Sequence, residues 1–360
     1  MLFGALGLHG ETSRRTKIAM GFSEPSGPFP VGCRRTELDS IPVNAFYPCV
    51  NSGECVRASW WPQNTSSDFA HPYAAGLAAG SQLPGLAPII SSLSWVRTKC
   101  FLDAPIEASA TPCRPVVFSH GLCSTKSFYS AICSEMASQG LFVLALEHSD
   151  GTACACMRED PQLSMKFQPG ADAGRDAQLA TRVAEMSRAL SALENGFPEA
   201  TFDMENSVAA GHSLGATAAL VAASADSRFK TAICLDCWSP GRVAPKLKPN
   251  FNILFIRIDN PRDPMVRICQ RNSQSGHRSA AFAINRSRAQ HNHQTDFFLL
   301  LPKWTVRMAL GRQVDDAATV LAANNRLCIS FLLDELSFTA SAREIVDSSQ
   351  GLLMMEFPSF

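Results

Sequence analysis

The middle of the chain alternates short, uniformly apolar runs with longer segments whose apolar residues recur every three or four positions. RPVVFSHG, LFVLALEH, KTAICLD and NILFIRID are runs of the first kind. They lack the in–out alternation of a half-exposed strand and predict strands buried on both faces of a sheet. SFYSAICSEMASQG predicts a helix stopped by a glycine. In DAGRDAQLATRVAEMSRALSALENG, residues Leu179, Val183, Met186, Leu190 and Leu193 fall on one helical face. SVAAGHSLGATAALVAAS reads as a strand, a sharp turn and a helix of small residues, while TDFFLLLPKW and NNRLCISFLLDEL predict two late helices. Strands alternating with helices predict an α/β fold with a mostly parallel, doubly wound central sheet and helices on both faces, as one domain over residues 1–360.

The N-terminal part is less regular. Residues 1–40 are rich in Gly, Pro and Arg and read as an irregular lead-in. IPVNAFYPC and ECVRASWWP read as two short strands joined across VNSG in a hairpin. Residues 62–112 carry many Pro, Ser, Gly and Ala; within them GLAAGSQLPGLAPIISSLSWV reads as a helical excursion or a surface flap. There is no internal repeat and no low-complexity tail.

The 360 residues are 46% hydrophobic, with 32 Lys plus Arg against 32 Asp plus Glu. Zero net charge offers no electrostatic case for nucleic acid as a partner. The 13 cysteines are scattered without zinc-like double pairs and read as mostly free thiols in a reducing compartment. Cys234 and Cys237 form a lone C-x-x-C at a strand end, and no metal cluster is expected. The first residues lack a basic n-region and a long apolar h-region, and no run of about 20 apolar residues occurs. The expected location is therefore cytoplasmic, with membrane association or secretion left open. The sequons at Asn64 and Asn285 matter only in a secreted protein.

The candidate chemistry centres on GHSLG, residues 211–215, which fits G-x-S-x-G between an apolar strand and a small-residue helix. A nucleophilic Ser213 at a strained strand-to-helix turn would need glycines at 211 and 215, where side chains would strike the neighbouring strand and helix. The competing reading is an N-capping serine in a tight turn. The backbone N–H groups of Leu214, after the nucleophile, and Leu122, in the loop that closes VVFSHGL, are the candidate oxyanion donors. In this fold the acid and then the histidine follow the serine. Asp236 closes KTAICLD and Asp259 closes NILFIRID, and either could be the acid. SRAQHNHQTDFF offers His291 and His293 as bases, with His277 upstream.

These segments together resemble the platelet-activating factor acetylhydrolase family, calcium-independent lipases of the α/β-hydrolase fold. The likeness runs from SGPFPVGC at residue 26 through VVFSHGLCSTKSFYSAICSEMASQGLFVLALEHSDGTA, GHSLGA, AICLDCW and HNHQTDF to DDAATVLAANNRLCISFL. The resemblance implies Ser213 as nucleophile in G-H-S-x-G and Asp236 as acid in L-D-x-W. It implies His291 as base opening H-x-x-x-x-D-F, which Asp296 and Phe297 close, and Leu122 and Leu214 as oxyanion donors. His293 does not fit that register. Leu214 stands where the family often has an aromatic residue, and residues 51–112 match weakly.

What the resemblance implies is a serine esterase or phospholipase A2 without metal or cofactor, removing a short or oxidised acyl group from the sn-2 position of glycerophospholipids. A general carboxylesterase or thioesterase is the alternative, and a non-catalytic binding protein a further one. The expected partners are a phospholipid substrate and a membrane or lipid-particle surface, docked through residues 74–93 and 297–304 unless these are core helices.

Overall fold

The computed structural model describes residues 21–50, 53, 55–61, 72–81, 85, 87–168, 174–248, 250–260, 264–301, 303–311, 314–334 and 336–357. Its strands are β1 (Val31–Leu38), β2 (Ile41–Pro48), β3 (Arg57–Ser59), β4 (Arg97–Leu102), β5 (Arg114–Ser119), β6 (Leu141–Leu146), β7 (Ala155–Cys156), β8 (Met165–Lys166), β9 (Ser207–His212), β10 (Phe229–Leu235), β11 (Asn252–Ile258), β12 (Ser279–Ile284) and β13 (Leu353–Phe357). Eleven of them form one sheet in the order β13-β12-β11-β10-β9-β5-β6-β2-β1-β4-β3; β7 and β8 pair separately. The block β6-β5-β9-β10-β11-β12 is parallel throughout. Antiparallel β2 and β13 flank it.

The uniformly apolar runs are explained by the two faces they serve. Val116, Phe118, Val143, Ala145, Ile233 and Leu254 pack on one face with Ile132 and Met136 of the helix Ser130–Ser138 and Val320, Leu327 and Phe331 of the helix Ala317–Leu333. Val117, Leu144, Ala209, Ala232, Ile253 and Phe255 face the other way. There they meet Leu179, Met186 and Leu190 of the helix Arg175–Ser191 and the alanines of the helix Leu214–Ala225. Each strand is apolar on both sides because each side has its own helical layer.

Three expectations need correction. IPVNAFYPC does not form a hairpin with ECVRASWWP: β2 pairs with β1 and β6, and β3 pairs with β4. The hairpin lies earlier, β1 to β2, closed by Leu38↔Ile41 across Asp39 and Ser40 with φ of 49° and 61°. Positive φ at both central residues matches the right-handed twist of the strands. The lead-in therefore holds an ordered strand over 31–38, and residues 1–20 lie outside the described residues. TDFFLLLPKW is not one helix but a 3-10 turn, Asp296–Leu299, followed by a separate helix, Lys303–Leu310. A helix continued through Pro302 would lose an N–H bond and clash one turn back.

The two segments expected on a lipid surface are mixed in exposure: Ala75, Ala79, Ser81, Pro88, Lys303 and Trp304 are exposed. Tyr73, Ala74, Gly76, Leu77 and Ala78 are buried in the helix Pro72–Gly80, and Leu300 is buried too. The exposed apolar residues nearby are Trp95, Trp304 and Met308. Residues 82–84 and 86 lie outside the described residues, as does the sequon at Asn64. Among the described residues no helix is long and apolar enough to cross a membrane.

Candidate active site

β5 connects to β6 on one side of the sheet, while the chain next enters β9 on the other side and continues to β10. The crevice between the carboxyl ends of β5 and β9 is thus a topological switch point, where ligands bind in open α/β sheets. Ser213 follows β9 and the loop His120-Gly121-Leu122 follows β5, so both reach this crevice.

Ser213 has φ 57° and ψ −121°. A non-glycine residue there stores strain of about 1–3 kcal/mol. The turn is held by Ser213 N–H to Leu235 O at 2.8 Å and Trp238 N–H to Ser213 O at 3.0 Å. The flanking glycines are sterically required: a Cβ on Gly215 would strike the Ser119 carbonyl, and one on Gly211 the Gly215 carbonyl. Ala216, Ala218 and Ala219 are fully buried and let the following helix lie close on the sheet.

Asp236 and His291 meet directly. His291 Nδ1 and Asp236 Oδ2 are hydrogen-bonded, and Asp236 Oδ1 accepts Ile258 N–H at 3.0 Å. Because an ionised carboxylate can only accept, Nδ1 carries the proton and Nε2 is left with its lone pair. Asp259 has a different setting: it ends β11 with its N–H on Ile284 O at 2.8 Å, and its carboxylate lies 3.9 Å from Arg257. His277 precedes β12, at the amino end of a parallel strand and so at the opposite end of the sheet from Ser213. His293 is fully buried; its Nδ1 accepts Gln290 N–H at 3.0 Å and its ring meets Phe298 edge-on. It caps the turn that carries His291.

The H-x-x-x-x-D-F pattern gains a structural reason. Asp296 is fully buried and accepts Ser130 N–H at 2.7 Å, Ala131 N–H at 3.1 Å and Trp60 Nε1–H at 3.2 Å. It supplies from afar the N-terminal cap that the helix Ser130–Ser138 lacks locally. Burial raises its carboxyl to about 7 against these hydrogen bonds. The His291 loop is thereby fastened to the first turn of that helix.

Several supporting groups carried no sequence signal. Tyr129 Oη accepts Gly121 N–H at 3.0 Å and lies 3.0 Å from His212 Nδ1. The His212 ring sits 4.3 Å from that of His291. Burial, and then the neighbouring His291 imidazole, holds the pKa of His212 well below its ordinary value. Behind the loop, fully buried Arg182 donates to the His120 carbonyl and to Thr152 Oγ1, and contacts Asp150 Oδ2 at 2.7 Å. Ser119 Oγ lies 2.7 Å from His148 Nε2, and His148 Nδ1 lies 2.7 Å from Glu185. This Ser–His–Glu chain is sealed from solvent and serves to pin the end of β5. Among the described residues, neither Leu122 N–H nor Leu214 N–H is given to a protein acceptor.

Two cavities meet at Ser213 and His291. One, of about 340 Å³, is lined by Leu77, Leu122, Phe128, Tyr129 and Phe297. The other, of about 980 Å³, is lined by Asp236, Trp238, Arg242, Asp259 and Arg286. The 13 cysteines are free; Cys234 and Cys237 are buried, and burial pushes the Cys234 thiol well above its ordinary value. Among the described residues no group of His, Cys, Asp and Glu is suited to hold a metal.

Three comparisons bear on this geometry. A model of the family described as platelet-activating factor acetylhydrolase, isoform II, matches residues 16–196 and 199–350. The platelet-activating factor acetylhydrolase of Canis lupus familiaris is 33% identical over 176 residues, 41% of this chain and 38% of that protein. That of Cavia porcellus is 28% identical over 254 residues, 59% of this chain and 54% of that protein. The matches thus span between about a third and about a half of these relatives' length. A solved structure, a ferulic acid esterase from Streptomyces cinnamoneus, superposes with a TM-score of 0.65 over 93% of this chain and 99% of that one, at 18% identity. At that identity the likeness speaks for the fold.

Proposed function

The chain belongs to the platelet-activating factor acetylhydrolase isoform II family, and from that premise we propose that it is a serine esterase that removes short acyl groups from the sn-2 position of glycerophospholipids. The observation that carries the reading is the hydrogen bond of His291 Nδ1 to Asp236 Oδ2 beside Ser213, at the mouth shared by the two cavities. In the proposed cycle, His291 Nε2 takes the Ser213 hydroxyl proton as Oγ bonds to the ester carbonyl carbon. The developing oxyanion receives the N–H groups of Leu122 and Leu214. Collapse breaks the ester C–O bond, and the alcohol leaves with the proton from His291. Water then attacks the acyl-enzyme, again giving its proton to His291, and the carboxylic acid departs as Ser213 is restored. Asp236 holds the imidazole in its Nδ1–H tautomer and stabilises the imidazolium. These steps use only the chain's own groups.

The reading is tested with a panel of sn-2 acetyl, sn-2 long-chain and p-nitrophenyl esters, alongside labelling by a fluorophosphonate probe. The expected result is labelling at Ser213 and a preference for the sn-2 acetyl ester. No label at Ser213 refutes the catalytic reading; equal turnover of every ester leaves a general esterase.

Two substitutions separate neighbouring roles. His291→Ala is expected to lower kcat by roughly three orders of magnitude or more, because the general base is lost. His293→Ala should instead act through stability, since His293 is buried and caps a turn. Loss of turnover in folded His293→Ala alone would shift the register by two residues. Tyr129→Phe removes the acceptor for Gly121 N–H. A misplaced oxyanion loop should lower kcat about tenfold with little change in KM, as expected for groups acting in the transition state. Steady-state kinetics on one soluble ester check this, and an unchanged kcat rules the role out.

A further inference from the structure

The loop that carries Gly121 and Leu122 runs between two buried grips. At its start, Arg182 donates to the His120 carbonyl. At its end, where Thr125 and Lys126 open the next turn, the grip is Glu147, the residue that follows β6. Glu147 Oε2 accepts Thr125 Oγ1–H at 2.8 Å and a Lys126 ammonium hydrogen at 2.9 Å, and Oε1 accepts Lys126 N–H at 3.3 Å. Glu147 N–H is itself bonded to Pro42 O of β2 at 2.9 Å. Lys126 Nζ also donates to Tyr73 Oη, at 2.9 Å, in the helix Pro72–Gly80. That helix brings Leu77 and Gly80 to the wall of the smaller cavity. It lies so close on the donor loop that a Cβ on Gly80 would strike Cys123 Sγ. Thr125 and Glu147 are fully buried, and Lys126 and Tyr73 nearly so. Burial alone would lower the pKa of Lys126, but Glu147 and then Tyr73 more than offset it and hold the ammonium above its ordinary value.

Stability does not explain such a pair. Both charges give up their water, and well-packed neutral groups of similar volume are often as stable or more so. What the pair adds is direction: an ammonium has three donors, and here they meet acceptors on two separate elements. Resting on the catalytic reading above, we propose that Lys126 and Glu147 are positioning residues for the oxyanion donor, their ion pair fixing where Leu122 N–H points and, through Tyr73, holding the cavity wall in the same frame. Neither residue lines the two cavities, so neither is catalytic. An oxyanion donor is effective only when it already stands about 2.7–3.1 Å from where the charge develops. Only Cys123 and Ser124 separate Leu122 from Thr125, so a displaced Thr125 carries Leu122 with it. Cys123 has φ 52°, a conformation that a residue with a side chain keeps when its surroundings impose it. The grip at Thr125 and Lys126 is one such constraint.

The test uses the full chain and avoids stranding one charge. Lys126→Met alone leaves a buried carboxylate without its cation and endangers the fold. The pair is therefore neutralised together, Lys126→Met with Glu147→Gln, and urea unfolding checks the fold. On one soluble short-acyl ester, kcat is expected to fall about tenfold with KM little changed, because the donor acts in the transition state. Thr125→Val, which removes only the hydroxyl given to Glu147, is the milder second variant and should lower kcat about threefold. The second readout is inhibition by a trifluoromethyl ketone with the same acyl group. Ser213 Oγ bonds to its carbonyl carbon, the serine proton passes to His291, and the carbonyl oxygen becomes an oxyanion facing the donors. Its Ki should rise by the factor by which kcat/KM falls. The Ki of the matching ether, which has no carbonyl, should hold. Wild-type kcat and ketone Ki in the folded variants overturn the proposal while leaving the esterase in place. Equal weakening of ketone and ether also overturns it, because the cavity as a whole would then be deformed. If the wild type neither cleaves the ester nor binds the ketone, the catalytic reading fails and takes this one with it.

Discussion

Ser213→Ala is expected to lower kcat/KM for short-acyl esters by roughly four to six orders of magnitude, leaving turnover near the background supplied by binding and oxyanion donors. The size follows from the geometry. The turn at Ser213 holds its strained φ of 57° through Leu235 O and Trp238 N–H. Those bonds involve only the backbone, so alanine should preserve the turn. Only the oxygen that would attack is lost. Circular dichroism should be unchanged, and the unfolding midpoint close to that of the wild type. Ester hydrolysis that survives in the folded variant would remove Ser213 from the reaction, whatever the geometry of His291 and Asp236.

Arg182→Ala should be the most damaging change away from the reacting atoms. Its guanidinium is fully buried and is shared among Asp150, Thr152 Oγ1, Ser119 Oγ and the His120 carbonyl. Removing one partner of a buried pair leaves the other charge uncompensated and costs about 3–5 kcal/mol. The measurement is the urea midpoint, compared at an unchanged m value. Burial alone would raise the Asp150 carboxyl, but the charge of Arg182, foremost among its opposing partners, holds it below the usual carboxylate range. A depressed folded-state value means the contribution is fully present above the ordinary carboxylate pKa of about 4 and is lost as pH falls through the folded value. Acid sensitivity in this range should therefore weaken in the variant. Asp150→Asn combined with Arg182→Met should recover part of the loss, since neither charge is then stranded. A single variant as stable as the wild type would show that the pair does not hold the loop. Because Arg182 also grips the loop ending at Leu122, its loss should reduce kcat even at temperatures where the protein is folded.

How legible the molecule was varied with how local the determining physics is. The strands RPVVFS, LFVLAL, KTAICL and NILFIRI were readable because burial on both faces leaves no polar position. SAAFAI, which forms β12, and the helices Met265–Gln274 and Phe338–Ser348 went unread. They are short, alanine-rich or largely polar, and their structure depends on neighbouring strands. The mistaken hairpin shows the same limit. A turn signal such as VNSG is local, whereas the pairing of β2 with β6 is made by residues about a hundred positions away.

The candidate site divides along the same line. G-H-S-L-G carries its own explanation, since a sharp turn between a strand and a close-packed helix excludes side chains at 211 and 215. That steric demand is written into adjacent residues. The choice between Asp236 and Asp259 was not, because both end parallel strands and both reach the large cleft. Family resemblance favoured Asp236, and among the residues themselves only the placement of His291 after β12 separates the two, through the bond to Asp236 Oδ2. Arg182 and the cap by Asp296 belong wholly to the tertiary level, since each satisfies a buried backbone group far away in the chain, whereas Tyr129 reaches Gly121 only eight residues before it. The chain alone determined the layered α/β order and the serine turn, because those arise from periodicity and from sterics between neighbours. Folding decided which acid meets which imidazole and what holds the donor loop, because these depend on distances across the crevice between β5 and β9 that no local pattern encodes.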